Sequence, residues 1–84
     1  VHGAAGGVGS IAGQLARWRG AEVLATASAA DGALVASLGA SRVIDYHAER
    51  FQDVVRDVDV VLDTLGGPTQ EASWAVLKPG GLLV

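Results

Sequence analysis

The chain has 84 residues, 50% of them apolar and 18% charged, with twelve glycines, no cysteine and a formal net charge of −3. That apolar fraction supports a buried core and excludes the disordered class, while no apolar run approaches the ~20 residues that cross a bilayer. Without cysteine there is no disulfide framework and no thiolate zinc site in these residues, and six basic against nine acidic side chains speak against a nucleic-acid partner.

In chain order, Val1-His2 reads as the end of a strand. Residues 7 to 19 place Val8, Ile11, Ala12, Leu15 and Ala16 on one helical stripe, with Gln14 and Arg17 on the other face and Gly20 as the terminator. Residues 23–27, Val-Leu-Ala-Thr-Ala, form a short strand of the type buried on both faces. Leu34, Val35 and Leu38 mark a second helix over 30–38, closed by Gly39, and residues 42–46 a third strand. A short third helix carries Phe51, Val54 and Val55. The strongest strand is 58–63. Pro68 suits the first position of a fourth helix, because its missing N–H has no partner there in any case. That helix is predicted to reach Leu77 with Ala72, Ala75 and Val76 inward, and Lys78-Pro79-Gly80-Gly81 to turn into a last strand at 82–84.

Such alternation predicts a Rossmann-type doubly wound parallel sheet in a three-layer α/β/α arrangement. Ligands of these sheets sit beyond the carboxyl ends of the strands where strand order reverses, here between the first strand and the fourth. The glycines sit at those boundaries, not in a linker. Residues 2–10, His-Gly-Ala-Ala-Gly-Gly-Val-Gly-Ser, follow the first strand and open the first helix. Glycines there allow a tight turn and close approach of a diphosphate to free backbone N–H groups, and Gly9 leaves room for the helix to pack on the strand. Ala4-x-Gly6-x-x-Gly9 is a dinucleotide fingerprint with alanine first. Gly3-x-x-x-Gly7-x-Gly9 equally fits the spacing of short-chain dehydrogenases, and an S-adenosylmethionine-dependent methyltransferase would share such a loop.

Five motifs in order narrow the choice: HGAAGGVG, ATAS, GASRVIDY, DVVLDTLGG and LKPGGLLV. Together they resemble the medium-chain dehydrogenase/reductase superfamily, and its zinc-independent quinone oxidoreductase branch in particular, over essentially the whole chain. The resemblance implies that residues 1–84 are a partial NAD(P)-binding domain, truncated at both ends, whose GroES-like substrate domain lies elsewhere in a longer parent. The start without an initiator methionine fits that expectation. An oxidoreductase is implied that transfers hydride between NADP(H) and a quinone or α,β-unsaturated carbonyl, without a metal. A cytoplasmic location, a small-molecule substrate and a homodimeric parent are implied with it. Short-chain dehydrogenases fit less well, since no Asn-Ala-Gly motif follows the fourth strand and no Tyr-x-x-x-Lys occurs.

The cofactor variant turns on the end of the second strand, where an acid would hold the ribose hydroxyls of NAD and repel a 2′-phosphate. The position ~20 residues after the last glycine of the motif falls near Ser28, and residues 26–30 contain no carboxylate. This favours NADP(H) over NAD(H), with Ser28 facing the 2′-phosphate and, by the resemblance, Tyr46 beside it. Asp31 departs from the basic or amide residue the family often supplies there, and is read as a cap on the second helix. A methyltransferase would want an acid at this strand end and finds none. A non-catalytic dinucleotide-sensing module remains the other alternative.

The expected cofactor contacts are therefore Gly6, Gly7, Val8, Gly9, Ser28, Tyr46, Leu65 and Gly66, with no catalytic and no metal-binding residue assigned. Asp63 is read as an acceptor for backbone N–H groups of residues 64–67, His2 as a satisfied structural donor, and Trp18 and Trp74 as packing residues against a neighbouring domain or subunit. The mixed charges around the third helix suit a solvated face.

Overall fold

A computed structural model describes all 84 residues. Four helices and four strands alternate: α1 (Gly7–Trp18), β1 (Leu24–Ala27), α2 (Gly32–Ser37), β2 (Arg42–Asp45), α3 (Phe51–Val54), β3 (Val58–Val61), α4 (Gly67–Ser73) and β4 (Leu77–Leu83). A single 3₁₀ turn, Ala29–Asp31, leads into α2. β1 and β2 pair in parallel, as do β3 and β4.

The two pairs are joined by residues 1–4, which bond to both sides. The Val1 nitrogen donates to the Leu24 carbonyl at 2.7 Å, Thr26 N–H to Val1 at 3.0 Å and Ala4 N–H to Thr26 at 3.3 Å, while His2 N–H donates to Leu62 at 3.0 Å. The resulting order is β2, β1, the N-terminal segment, β3, β4. Successive connections run first one way and then the other from the centre, which is the doubly wound arrangement.

Side chains along these strands alternate between faces and fill two separate cores. Ala25 and Ala27 join Ala4 and Val35, with Val43 against them; Ile44 joins Val55, Val61 and Val76, with Leu24 and Phe51 against them. The first core lies under α2 and the second under α3 and the connection after α4, giving the three layers.

Three sequence expectations need correction. Of the predicted α1 stripe only Ala12 and Ala16 face in, while Val8, Ile11 and Leu15 are 67%, 60% and 55% exposed. Gly9 is the buried residue of the helix, with Ala12, Gly13 and Ala16 half-buried beside it. The reason is distance, since the helix lies so near the N-terminal segment that only its small residues fit beneath. α4 stops at Ser73, because three-residue turns from Ala75 to Ala72 and from Val76 to Ser73 replace helical bonds, and Ala75 is exposed. β4 then starts at Leu77 and includes the predicted turn. Between the Val58–Leu77 and Val60–Leu82 pairs β3 advances two residues and β4 five, a bulge that absorbs Pro79 and Gly80. Trp18 and Trp74 are both exposed.

His2 fastens the centre of the sheet to its neighbours. Its buried ring lies 2.9 Å by Nδ1 from Thr26 Oγ1 and 3.0 Å by Nε2 from Ser73 Oγ, with the Phe51 ring edge-on at 4.4 Å. Ser73 spends its one hydroxyl hydrogen on the Thr69 carbonyl at 2.7 Å. It therefore accepts from Nε2–H, which leaves Nδ1 as acceptor for the Thr26 hydroxyl. Every polar atom in this network is satisfied by the neutral ring, as expected of a structural histidine.

Burial lowers the His2 pKa below its ordinary value, against a smaller upward pull from Asp63. An unfolded histidine titrates near ~6.5, so the unfolded chain takes up this proton first. Stability present above pH ~6.5 is expected to fall as the pH drops below that value towards the lower folded one, then to level off. Urea unfolding across that range should show this slope in the wild type and a much flatter profile in His2→Gln.

Candidate functional site

The glycine loop crosses the carboxyl ends of the central strands, where sequence reasoning placed the switch point. Gly3 adopts φ +63°, which turns the chain sharply after His2. Gly6 N–H then donates to the Gly3 carbonyl at 3.0 Å, and Ser10 N–H to Gly6 at 2.9 Å starts α1. A Cβ at Gly9 would lie 2.1 Å from the Gly3 carbonyl oxygen and 2.7 Å from its carbon, so no side chain fits there. At Gly7 a Cβ would meet nothing within 4 Å. Packing thus demands glycine at position 9, whereas at position 7 its absence of a side chain leaves an open cradle beside the helix end.

The helix end itself is open and free of negative charge. Gly6 occupies the N-cap with no side-chain hydrogen bond, and the first turn contains no acid. The first-turn amides, from Gly7 to Gly9, precede the first intrahelical donor and gather the positive end of the helix dipole. A dinucleotide diphosphate fits this donor set and the open space at Gly7.

Opposite the loop, two residues beyond β3, the Asp63 carboxylate accepts Leu65 N–H at 2.8 Å and Gly66 N–H at 3.0 Å. This is the backbone-holding role read from the sequence. It fixes the turn that carries Leu65, 63% exposed, and Gly66 at φ +73°. Thr64 had no assigned role. Its hydroxyl donates to the His2 carbonyl at 3.3 Å, and a Cβ on Gly3 would strike its Oγ1 at 2.6 Å. Gly3, Thr64 and Leu65 therefore meet at one edge, and the pairing of a positive-φ glycine with the turn after Asp63 is visible only once β3 lies beside residue 2.

Ser28 and Tyr46 come together at the adjacent strand ends, because Tyr46 N–H donates to the Ala27 carbonyl at 3.3 Å. Ser28 is half-buried and Tyr46 is 56% exposed. Asp31 stands at the N-cap position of α2 but makes no capping hydrogen bond. Instead its carboxylate accepts the Ser28 hydroxyl at 3.1 Å. The expected cap is thus corrected: the 3₁₀ turn brings residue 31 back over residue 28 and satisfies the carboxylate there. No group of three or more histidine, cysteine or acidic side chains is arranged to hold a metal ion. The main cavity lies elsewhere, between the amino ends of the strands, lined by Val1, Leu24, Val58 and Val60. No helix is long and apolar enough to cross a membrane.

Comparison with known proteins agrees with this architecture. The chain is 43% identical over 86 residues to 2-methylene-furan-3-one reductase of Solanum lycopersicum, covering all of this chain and 22% of that protein. The quinone oxidoreductase of Coxiella burnetii superposes with a TM-score of 0.95 at 41% identity, over 98% of this chain and 26% of the other. The Escherichia coli quinone oxidoreductase complexed with NADPH gives 0.89 at 36% identity, over 98% and 27%. The chain thus spans about a quarter of these relatives, and 4% or less of the polyketide synthases it also matches. A family model described as zinc-binding dehydrogenase matches residues 7–84. With its parallel Rossmann-like sheet and glycine-opened first helix, the chain belongs to that zinc-binding dehydrogenase family, within the medium-chain dehydrogenase/reductase superfamily of oxidoreductases.

Proposed function

We propose that this chain is the cofactor-binding part of an NADP(H)-dependent reductase of quinones or α,β-unsaturated carbonyls, with the substrate held by a companion domain of the parent protein. The observation that carries the reading is the glycine cradle: an uncapped helix end, free of acids, brought against residue 3 by a contact that excludes any side chain at position 9. Similarity to reductases of a quinone and of an enone supports the substrate class. The likeness lies with the quinone reductase branch, so we assign the hydride step to the nicotinamide alone, without zinc. A methyltransferase reading has no observation in its favour.

Bound at this site, the cofactor supplies a hydride. The chain's own residues hold and orient it. The amides of Gly7, Val8 and Gly9 and the N-cap residue Gly6 would receive the diphosphate. Ser28 and Tyr46 would flank the adenosine ribose, and Leu65 and Gly66 would border the nicotinamide end. Asp31 opposes a 2′-phosphate at Ser28, so the preference for NADP(H) is set against a local negative charge.

The intact protein should oxidise NADPH with 1,4-benzoquinone or an enone and bind S-adenosylmethionine negligibly; no oxidation with either acceptor, or preference for NADH, would sink the proposal as stated. Gly7→Ala should weaken NADPH binding roughly tenfold while leaving thermal unfolding nearly unchanged, because its Cβ enters ligand space alone. Gly9→Ala should damage both, since the Gly3 backbone must move. Asp31→Asn should tighten NADPH several-fold and leave NADH within about twofold, read as the ratio of dissociation constants by titration calorimetry.

A further inference from the structure

We propose that His47 supplies the hydrogen-bond donor and positive charge for the adenosine 2′-phosphate, and so determines NADP(H) selectivity against the opposing Asp31 carboxylate. This rests on the nucleotide-binding reading above and adds to it a residue with no assigned role. Between Gly20 and Ser41 the chain has no lysine or arginine, and its charged side chains there are Glu22 and Asp31. A phosphate at Ser28 therefore finds a carboxylate beside it and no cation on its own strand or helix. The neighbouring strand end offers a donor.

The local fold brings one there. β2 ends at Asp45, whose carboxylate accepts His47 N–H at 2.9 Å and whose carbonyl accepts Ala48 and Glu49 N–H at 3.0 and 2.9 Å. This turn, built on the aspartate side chain, breaks the strand's alternation. Consecutive side chains that would point to opposite faces lie together instead, with the Tyr46 and His47 rings 4.3 Å apart and inclined at 38°. Tyr46 in turn is tied to Ala27, the residue before Ser28. Ser28, Tyr46 and the exposed imidazole of His47 thus share one edge of the sheet, at the carboxyl ends of β1 and β2.

The nearby cations are committed elsewhere: Arg42, at the amino end of β2, faces Glu49 at 4.0 Å, and Arg50 faces Asp53 at 3.7 Å. Whichever tautomer is present, an imidazole donates at least one N–H to a phosphate oxygen, and two when protonated.

The test measures binding of 2′,5′-ADP and of 5′-AMP to the intact protein at low ionic strength, in the wild type, His47→Gln and His47→Arg. The two probes differ only in the 2′-phosphate. In His47→Gln the affinity for 2′,5′-ADP should fall roughly tenfold with 5′-AMP unchanged, and His47→Arg should restore or exceed wild-type discrimination. Equal affinities of wild type and His47→Gln for 2′,5′-ADP, or equal weakening of both probes, would overturn the role of His47 while leaving the nucleotide site intact. Failure of the wild type to bind either probe would overturn the nucleotide site and this assignment with it. Since His47 is exposed, thermal unfolding of both variants should match the wild type.

Discussion

The contact between Gly9 and the Gly3 carbonyl governs this structure. A methyl group at position 9 would overlap a backbone oxygen, so α1 can lie where it does only through the absence of a side chain. The first consequence is at the helix end. Drawn against the turn after His2, the helix presents its first amides at the carboxyl ends of the central strands, with open space at Gly7. The second is along the helix, where only Gly9, Ala12, Gly13 and Ala16 are small enough to face the sheet. The large apolar residues of α1 are displaced outward. A close backbone contact at one end of the helix thus goes with small residues along its inward face.

A second constraint is the placing of residues 1–4. Their hydrogen bonds are what make one sheet of two separate strand pairs. His2 extends this role sideways, reaching Thr26 on β1 and Ser73 on α4 through opposite nitrogens of one neutral ring. Thr64 and Asp63 then hold the neighbouring turn against the same segment. The geometry of the candidate site is inherited from this centre: the glycine loop, the Leu65 turn and the Ser28 edge are each one or two bonded steps from it.

Much of the site was legible because its chemistry depends on residue type at fixed spacing. Gly6, Gly7 and Gly9 announce a backbone that must approach something closely, and Asp63 before a Thr-Leu-Gly-Gly turn announces a carboxylate that holds amides. Other parts were illegible for identifiable reasons. Asp31 has the position of a helix cap, but a 3₁₀ turn folds it onto Ser28, and the competition between those acceptors is decided by backbone geometry. His47 follows an aromatic residue at a strand end, where alternation predicts that the two diverge. The Asp45 side chain cancels that alternation. Lys78-Pro79-Gly80-Gly81 has turn composition, yet pairing with β3 on both sides of it makes it a bulge within β4.

The sequence by itself determined the order of elements, the parallel sheet, the family and the position of the glycine loop, because periodicity, glycine spacing and ordered motifs are properties of the chain read locally. Tertiary structure alone decided which stripe of α1 faces inward, where α4 ends, which partner Asp31 takes, and which rings meet at the end of β2. Each of these depends on how near one backbone comes to another, and hydrophobic periodicity carries no information about that distance. At Gly9 the separation leaves no room for a single carbon atom, and the orientation of the first helix follows from that.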